Sequence, residues 1–146
     1  MASEKACSIP YRFAADGTAE ILAFHHPLAG KQFVKGTIEE GEDPADASMR
    51  ELMEESGLRL DKPLRMGQAF IGSPPLRWHF YAYESDGLPE SWDHRTEDDG
   101  GHIFSFFWHP VSRDLDEDWH PVFHQAYHLI RARLPRFPDD PARPRR

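Results

Sequence analysis

Cysteine, bases and long apolar runs are all scarce in this chain of 146 residues, and each scarcity excludes something. A lone cysteine, Cys7, cannot close an internal disulfide, which fits a reducing compartment and a cytoplasmic location. The longest fully apolar stretches are only a few residues, such as Phe106-Phe107-Trp108, so no membrane span or membrane partner is expected. The first ten residues carry Glu4 and Lys5 and no apolar core, so no secretory signal is expected. With 17 Lys and Arg against 25 Asp and Glu, the formal charge is -8, which disfavours a stable nucleic-acid complex. Internal repeats and Gly/Ser-rich linkers are missing too, so one domain is expected.

What is present suffices for a core. Hydrophobic residues make up 39% and aromatics 12%, too much for global disorder. A chain this long needs no disulfide or structural metal to hold its interior together. The charge is unevenly placed: Glu39 to Glu55 contains eight acids and one base, Arg50, and alone carries -7. Six arginines lie in the last sixteen residues, leaving Met1 to Ile130 at -12.

Asp16-Gly17 between Ser8–Ala14 and Ala19–Phe24 is a hairpin signal, predicting two antiparallel strands, followed by a short strand around Gln32–Val34. Asp43-Pro44 then reads as a helix start, with Asp43 as N-cap and proline at the first helical position, and Gly57 as its stop. Ala45, Met49, Leu52, Met53 and Ser56 supply the face predicted to pack on a sheet. Strand signals recur at Arg65–Ile71, Arg77–Glu84 and His102–Val111, the last two separated by a polar, Gly-containing stretch. Trp119, Val122, Phe123, Ala126, Tyr127, Ile130 and Leu134 mark a second, amphipathic helix. The order predicts a mixed sheet covered by helices on both faces, an α/β (α+β) sandwich spanning residues 1–137, with Pro138–Arg146 as a flexible basic tail.

Within the first helix Glu51, Glu54 and Glu55 stand at i, i+3 and i+4 and project from one side. Carboxylates so close repel one another unless a cation lies between them. Oxygen-only donors suit a hard ion, Mg²⁺ or Mn²⁺, better than zinc. Three glutamates on a helix are by themselves more often a solvated face. The surroundings change that weighting. Gly36, five residues, Glu42, seven residues, then Arg50-Glu51-Leu52-Met53-Glu54-Glu55-Ser56-Gly57-Leu58 fits G-x5-E-x7-R-E-U-x-E-E-x-G-U, U being a bulky aliphatic, at every fixed position. Average residue frequencies put a chance match in a chain of this length on the order of 10⁻⁸. The pattern is the Nudix box, and the chain resembles the Nudix (MutT-like) hydrolases.

That resemblance implies a fold, an activity and roles. The fold is an α/β/α sandwich in which the box forms a loop, a helix and a loop. The activity is metal-dependent hydrolysis of a nucleoside diphosphate linked to another moiety, so the expected partner is a small nucleotide derivative and the expected cofactor Mg²⁺ or Mn²⁺. By motif position, Glu51, Glu54 and Glu55 become metal ligands with the Gly36 carbonyl, Arg50 orients the glutamates, and Glu42 and Gly57 are structural. Glu55 is the first choice as general base; loop alternatives are Glu97, Asp98 and Asp99. A catalytically silent nucleotide-binding module is the competing reading, opposed by the intact glutamate set. Monomer and homodimer stay open.

Outside the box the signals are weaker. Arg12, His25 and His26 near the first strands can touch substrate, and Trp78, Trp92, Trp108 or Phe80 can stack a base, although strand aromatics are more often core. Pro74 lies sixteen residues after Leu58, close to where ADP-ribose pyrophosphatases of this family carry a proline, but Ser73-Pro74-Pro75 also reads as a turn. His120, His124 and His128 read as a surface stripe on the last helix.

Overall fold

Gly17 takes φ +87°, the left-handed conformation a tight hairpin needs, and reverses the chain between β1 (Lys5–Phe13) and β2 (Ala19–His26). The computed structural model describes residues 3–97 and 100–135. Asp98, Asp99 and the Pro138–Arg146 segment therefore lie outside the described residues.

β1 and β2 pair only at their hairpin ends, Tyr11 to Phe13 against Ala19 to Ile21. Beyond that they diverge. Two short strands fill the gap: β3 (Gly30–Gln32) pairs with the far half of β2, and β4 (Val34–Thr37) with the near half of β1. The single strand expected at Gln32–Val34 is thus two, separated by Phe33. The side chain of Phe33 is fully buried against Trp119 and Phe123, and this anchor marks where the chain passes from one partner strand to the other.

After α1 (Pro44–Ser56) follow β5 (Leu64–Ile71), β6 (Leu76–Glu84), β7 (Trp92–Thr96), β8 (His102–Pro110) and α2 (Pro121–Arg133). The sheet runs β5-β6-β1-β2-β8-β7, with only the β1–β6 pair parallel. It is mixed, as expected. Each face carries one core: Cys7, Ile9, Ile21 and Phe80 pack with Phe123 and Ile130 of α2, whereas Leu22, Phe24, Tyr83 and Phe106 pack with Leu52 of α1. Central strands buried on both faces read as apolar runs, and β2 shows this in Ile21-Leu22-Ala23-Phe24. Each such fully buried Ile, Leu or Phe contributes about 1.5–3 kcal/mol relative to exposure.

Three sequence expectations need correction. β7 lies inside the stretch read as a polar connection; alternate residues face outward, and its polar composition hides the period. The face α1 presents to the sheet is Ala47, Ser48, Glu51, Leu52, Glu55 and Ser56: of the expected set Leu52 and Ser56 are buried there and Ala45 and Met49 pack against the core only partly buried, while serine hydroxyls and two glutamates share the sheet side. Trp119 precedes α2 rather than opening it. His120 is the N-cap, its Nδ1 accepting from the Val122 amide, and the buried Trp119 forms a bridge with Lys31.

Candidate active site

The helix that carries the glutamates is fixed at both ends by its own sequence. The Asp43 side chain accepts from the Ala45 amide, and Gly57, at φ +81°, turns its N–H back to the Met53 carbonyl. Laterally, Ser48 binds the sheet: its hydroxyl lies 2.6 Å from that of Ser8 and 2.7 Å from that of Tyr83.

Arg50 is the centre of the site. Its guanidinium grips Glu42 in a fork, Nε donating to Oε2 at 2.8 Å and Nη2 to Oε1 at 2.9 Å. Nη2 also donates to the Thr37 carbonyl at 3.0 Å, and Nη1 donates to Glu51 at 2.9 Å and to Glu54 at 3.3 Å. One side chain therefore ties the loop before the helix to two of the three helix carboxylates. Glu42 further accepts from the Glu39 amide at 3.0 Å, which closes the loop on itself. Arg50 and this amide hold the Glu42 carboxyl down at about 2, well below the ordinary range.

Gly36 meets the cluster from the sheet. A Cβ there would overlap the Glu51 carboxyl group, so the absence of a side chain is what lets Glu51 lie against the β4 backbone. Glu51 and Glu55 are buried at 8% and 7% exposure, while Glu54 is half-buried at the rim. The donors are all oxygen, three carboxylates from one helix beside a backbone carbonyl, and this set fits a hard divalent ion. Among the described residues no three acidic, His or Cys side chains converge on one point. Closer convergence was expected from the helical spacing; Glu51 and Glu54 instead share the Arg50 Nη1, and Glu55 turns into the sheet side.

Glu97 follows the end of β7 and lines a cavity of about 450 Å³ together with Glu54, Arg59, His94 and Arg95. The loop acid and a box glutamate thus share one recess. β7 also holds the end of α1: His94 donates Nε2–H to the Glu54 carbonyl at 3.1 Å, and Trp92 donates its indole N–H to the Ser56 carbonyl at 3.0 Å. Sequence reasoning missed both contacts along with the strand; the alternation of Trp92, His94 and Thr96 was the available signal.

Arg12 and His25 are not brought to the cluster. Arg12 lies seven residues along β1 from Lys5, about 23 Å in extended chain, where it pairs with Glu20 and Glu90 and covers the Trp108 ring at 4.4 Å. His25 stacks near Phe107 and lines a different, small cavity with Lys31 and Asp116. Trp78 lies on the opposite, α2 side of the sheet, where it lines a cavity of about 430 Å³ with Lys5 and with Lys35, the neighbour of Gly36 on β4. At 3% exposure it forms a wall of that cavity, not an open stacking face. Of the other aromatics considered, Phe80 is fully buried, and Trp92 stacks on Phe106 at 5.1 Å. The stripe His120, His124 and His128 is exposed. Among the described residues no helix is long and apolar enough to cross a membrane.

Fold and site together define a class: a mixed sheet between two helices, with a loop-helix-loop that carries an arginine-braced, all-oxygen acidic cluster. A model of the NUDIX domain matches residues 8–128, and the chain belongs to the Nudix (MutT-like) hydrolase family. Among solved structures, a MutT Nudix hydrolase from Burkholderia pseudomallei is 17% identical, with 91% of this chain and 98% of that one covered and a TM-score of 0.63. The Nudix domain of Shewanella oneidensis NrtR, complexed with ADP-ribose, is 14% identical, with 92% and 90% covered and a TM-score of 0.68. A Caenorhabditis elegans Ap4A hydrolase is 16% identical, with 88% and 96% covered and a TM-score of 0.59. At these identities the likeness is one of fold. No curated protein matches the chain.

Proposed function

We propose that this chain hydrolyses the pyrophosphate linkage of a nucleoside diphosphate joined to another moiety, using Mg²⁺ or Mn²⁺. The observation that carries the reading is the Arg50 brace, which joins Glu42, Glu51 and Glu54 beside the side-chain-free backbone of Gly36. Glu51, Glu54, Glu55 and the Gly36 carbonyl are the residues to hold the ion. A divalent ion bound there supplies charge neutralisation for the phosphate oxygens and makes water more acidic.

The chain's own residues do the rest. Arg50 fixes the rotamers of Glu51 and Glu54, so their charge is already oriented when substrate arrives. Glu55, buried beside them, is the residue we assign to take the proton from the attacking water. Glu97 is the alternative base, reaching the recess from the loop side of Glu54.

The test is a substrate screen of nucleoside triphosphates, ADP-ribose, NADH, dinucleoside polyphosphates and nucleotide sugars with either metal, comparing the native chain with Glu54→Gln. Turnover by the native chain, lost in the variant, supports the reading. No turnover, or a glutamine variant of native activity, overturns it in favour of a binding module.

A further inference from the structure

The segment that leaves α1 is pinned on both sides of Arg59. The Leu58 amide donates to the Ser56 hydroxyl at 3.1 Å, and Leu58 and Leu60 pack against the α1-side core. Arg59 stands between them, exposed, and lines the 450 Å³ recess that Glu54 and Glu97 share. Its neighbours are anchored, yet among the described residues its guanidinium has no hydrogen bond, ion pair or ring contact. Arg95 lines the same recess from β7, and its ion pair with Glu97 is long, 3.9 Å, between two mostly exposed side chains. Such a pair holds its members weakly. Two arginines therefore border the recess with little use for their charge in the fold itself.

Arg59 and Arg95 balance the charges of Glu54 and Glu97 there. A divalent ion held by the glutamates turns that balance positive, and the recess then suits an anion. Guanidinium groups match the oxygens of a phosphate in a planar fork. Met53 is the one large apolar side chain among the described residues that line the recess, too little to seat a base. A neutral sugar there would leave both cations without a counter-charge.

We propose that Arg59, with Arg95, holds a phosphate beyond the scissile linkage, so that the substrate carries at least three phosphates in a row. The inference rests on the hydrolase reading and narrows its substrate class to a nucleoside bearing a linear polyphosphate, not a two-phosphate sugar or dinucleotide. Glu54 belongs both to the Arg50-braced cluster and to the recess, so a chain whose anhydride lies on the glutamates runs on towards Arg59. Arg59 is then a specificity residue: it touches the substrate away from the reacting phosphorus, and its contribution falls on binding. Phosphate seating itself does not require turnover.

The test is calorimetry of the native chain with inorganic tripolyphosphate, pyrophosphate and orthophosphate in the presence of Mg²⁺. Tripolyphosphate should bind about tenfold more tightly than pyrophosphate, the yield of one charge-assisted contact. Arg59→Gln should bring that ratio near one, and Arg59→Lys, which keeps the charge without the fork, should give an intermediate ratio. In kinetics, the preference in kcat/KM for ATP over ADP-ribose, which share adenosine, should fall about tenfold in Arg59→Gln, with the change in KM. The proposal is overturned if tripolyphosphate binds the native chain no better than pyrophosphate, if Arg59→Gln keeps the native ratio, or if orthophosphate binds as tightly as tripolyphosphate, which would assign the recess to a free anion. The native-chain comparison decides should a variant not fold. A tripolyphosphate preference without turnover of any substrate would sink the hydrolase reading and leave the phosphate site standing. Turnover of ADP-ribose without that preference would do the reverse.

Discussion

The Glu51 carboxylate occupies the space where a side chain on Gly36 would begin. The glutamate is the flexible partner in that contact, so a methyl group at position 36 displaces it while the strand stays in place. Gly36→Ala is therefore expected to fold with a near-native melting temperature and to lose the rise in that temperature caused by millimolar Mg²⁺ or Mn²⁺. Thermal melts with and without metal check this. A metal-induced rise equal to the native one would show that Glu51 is not part of the ion's shell.

Arg50 makes geometrically distinct bonds with each of its nitrogens, and a lysine has one ammonium to replace them. Arg50→Lys keeps the charge but loses the fork to Glu42. The expected effect is a kcat about 10–100-fold lower, as for other residues that orient metal ligands, with KM little changed. Steady-state kinetics on whichever substrate the screen returns would measure it.

The clasp between β7 and α1 predicts a subtler loss. His94→Ala leaves the Glu54 carbonyl without its donor and frees the turn that carries Glu54 and Glu55. A decrease in kcat of about 2–10-fold is expected, with native binding of product nucleotide. If kcat is native, the clasp only stabilises the fold.

Tyr83 links the site's helix to alkaline stability. Burial pushes its phenol up to about 12, against the opposing pull of the Ser48 and Ser8 hydroxyls. A group whose pKa is raised on folding adds stability that is complete below its unfolded value, about 10 for tyrosine, and is lost as pH rises through the folded value. Urea midpoints should fall between pH 10 and 12 in the native chain and fall less in Tyr83→Phe. At neutral pH the phenylalanine variant should cost about 0.5–1.5 kcal/mol, the loss of one hydrogen bond, since Ser8 and Ser48 still bond each other.

Where local chemistry decides structure, the sequence was explicit. Asp43-Pro44 and Gly57 delimit α1 to the residue, and Asp16-Gly17 marks the first hairpin. The three glutamates were legible through their helical spacing, and Gly36, Glu42 and Arg50 through the family pattern they fit. What escaped depends on partners distant in sequence. Trp92 to Thr96 carries only a short alternation among polar residues, and its hydrogen bonds come from β8 and its anchor from α1. The break at Phe33 follows from two diverging strands that the segment itself does not encode. Arg12 and His25 were plausible by proximity to early strands, yet an extended strand carries its ends far apart, and only the Lys5 end of β1 reaches the box.

The alternation at Lys35-Gly36 gives the two sides of β4 different neighbours. On the α1 side of β4 Gly36 receives the Glu51 carboxylate, and on its α2 side Lys35 lines the 430 Å³ cavity. A replacement at Lys35 alters the cavity wall while Gly36 and the carboxylate it receives keep their places. An inserted or deleted residue in β4 would be another matter: it would exchange the two sides at once, and no single replacement could restore them.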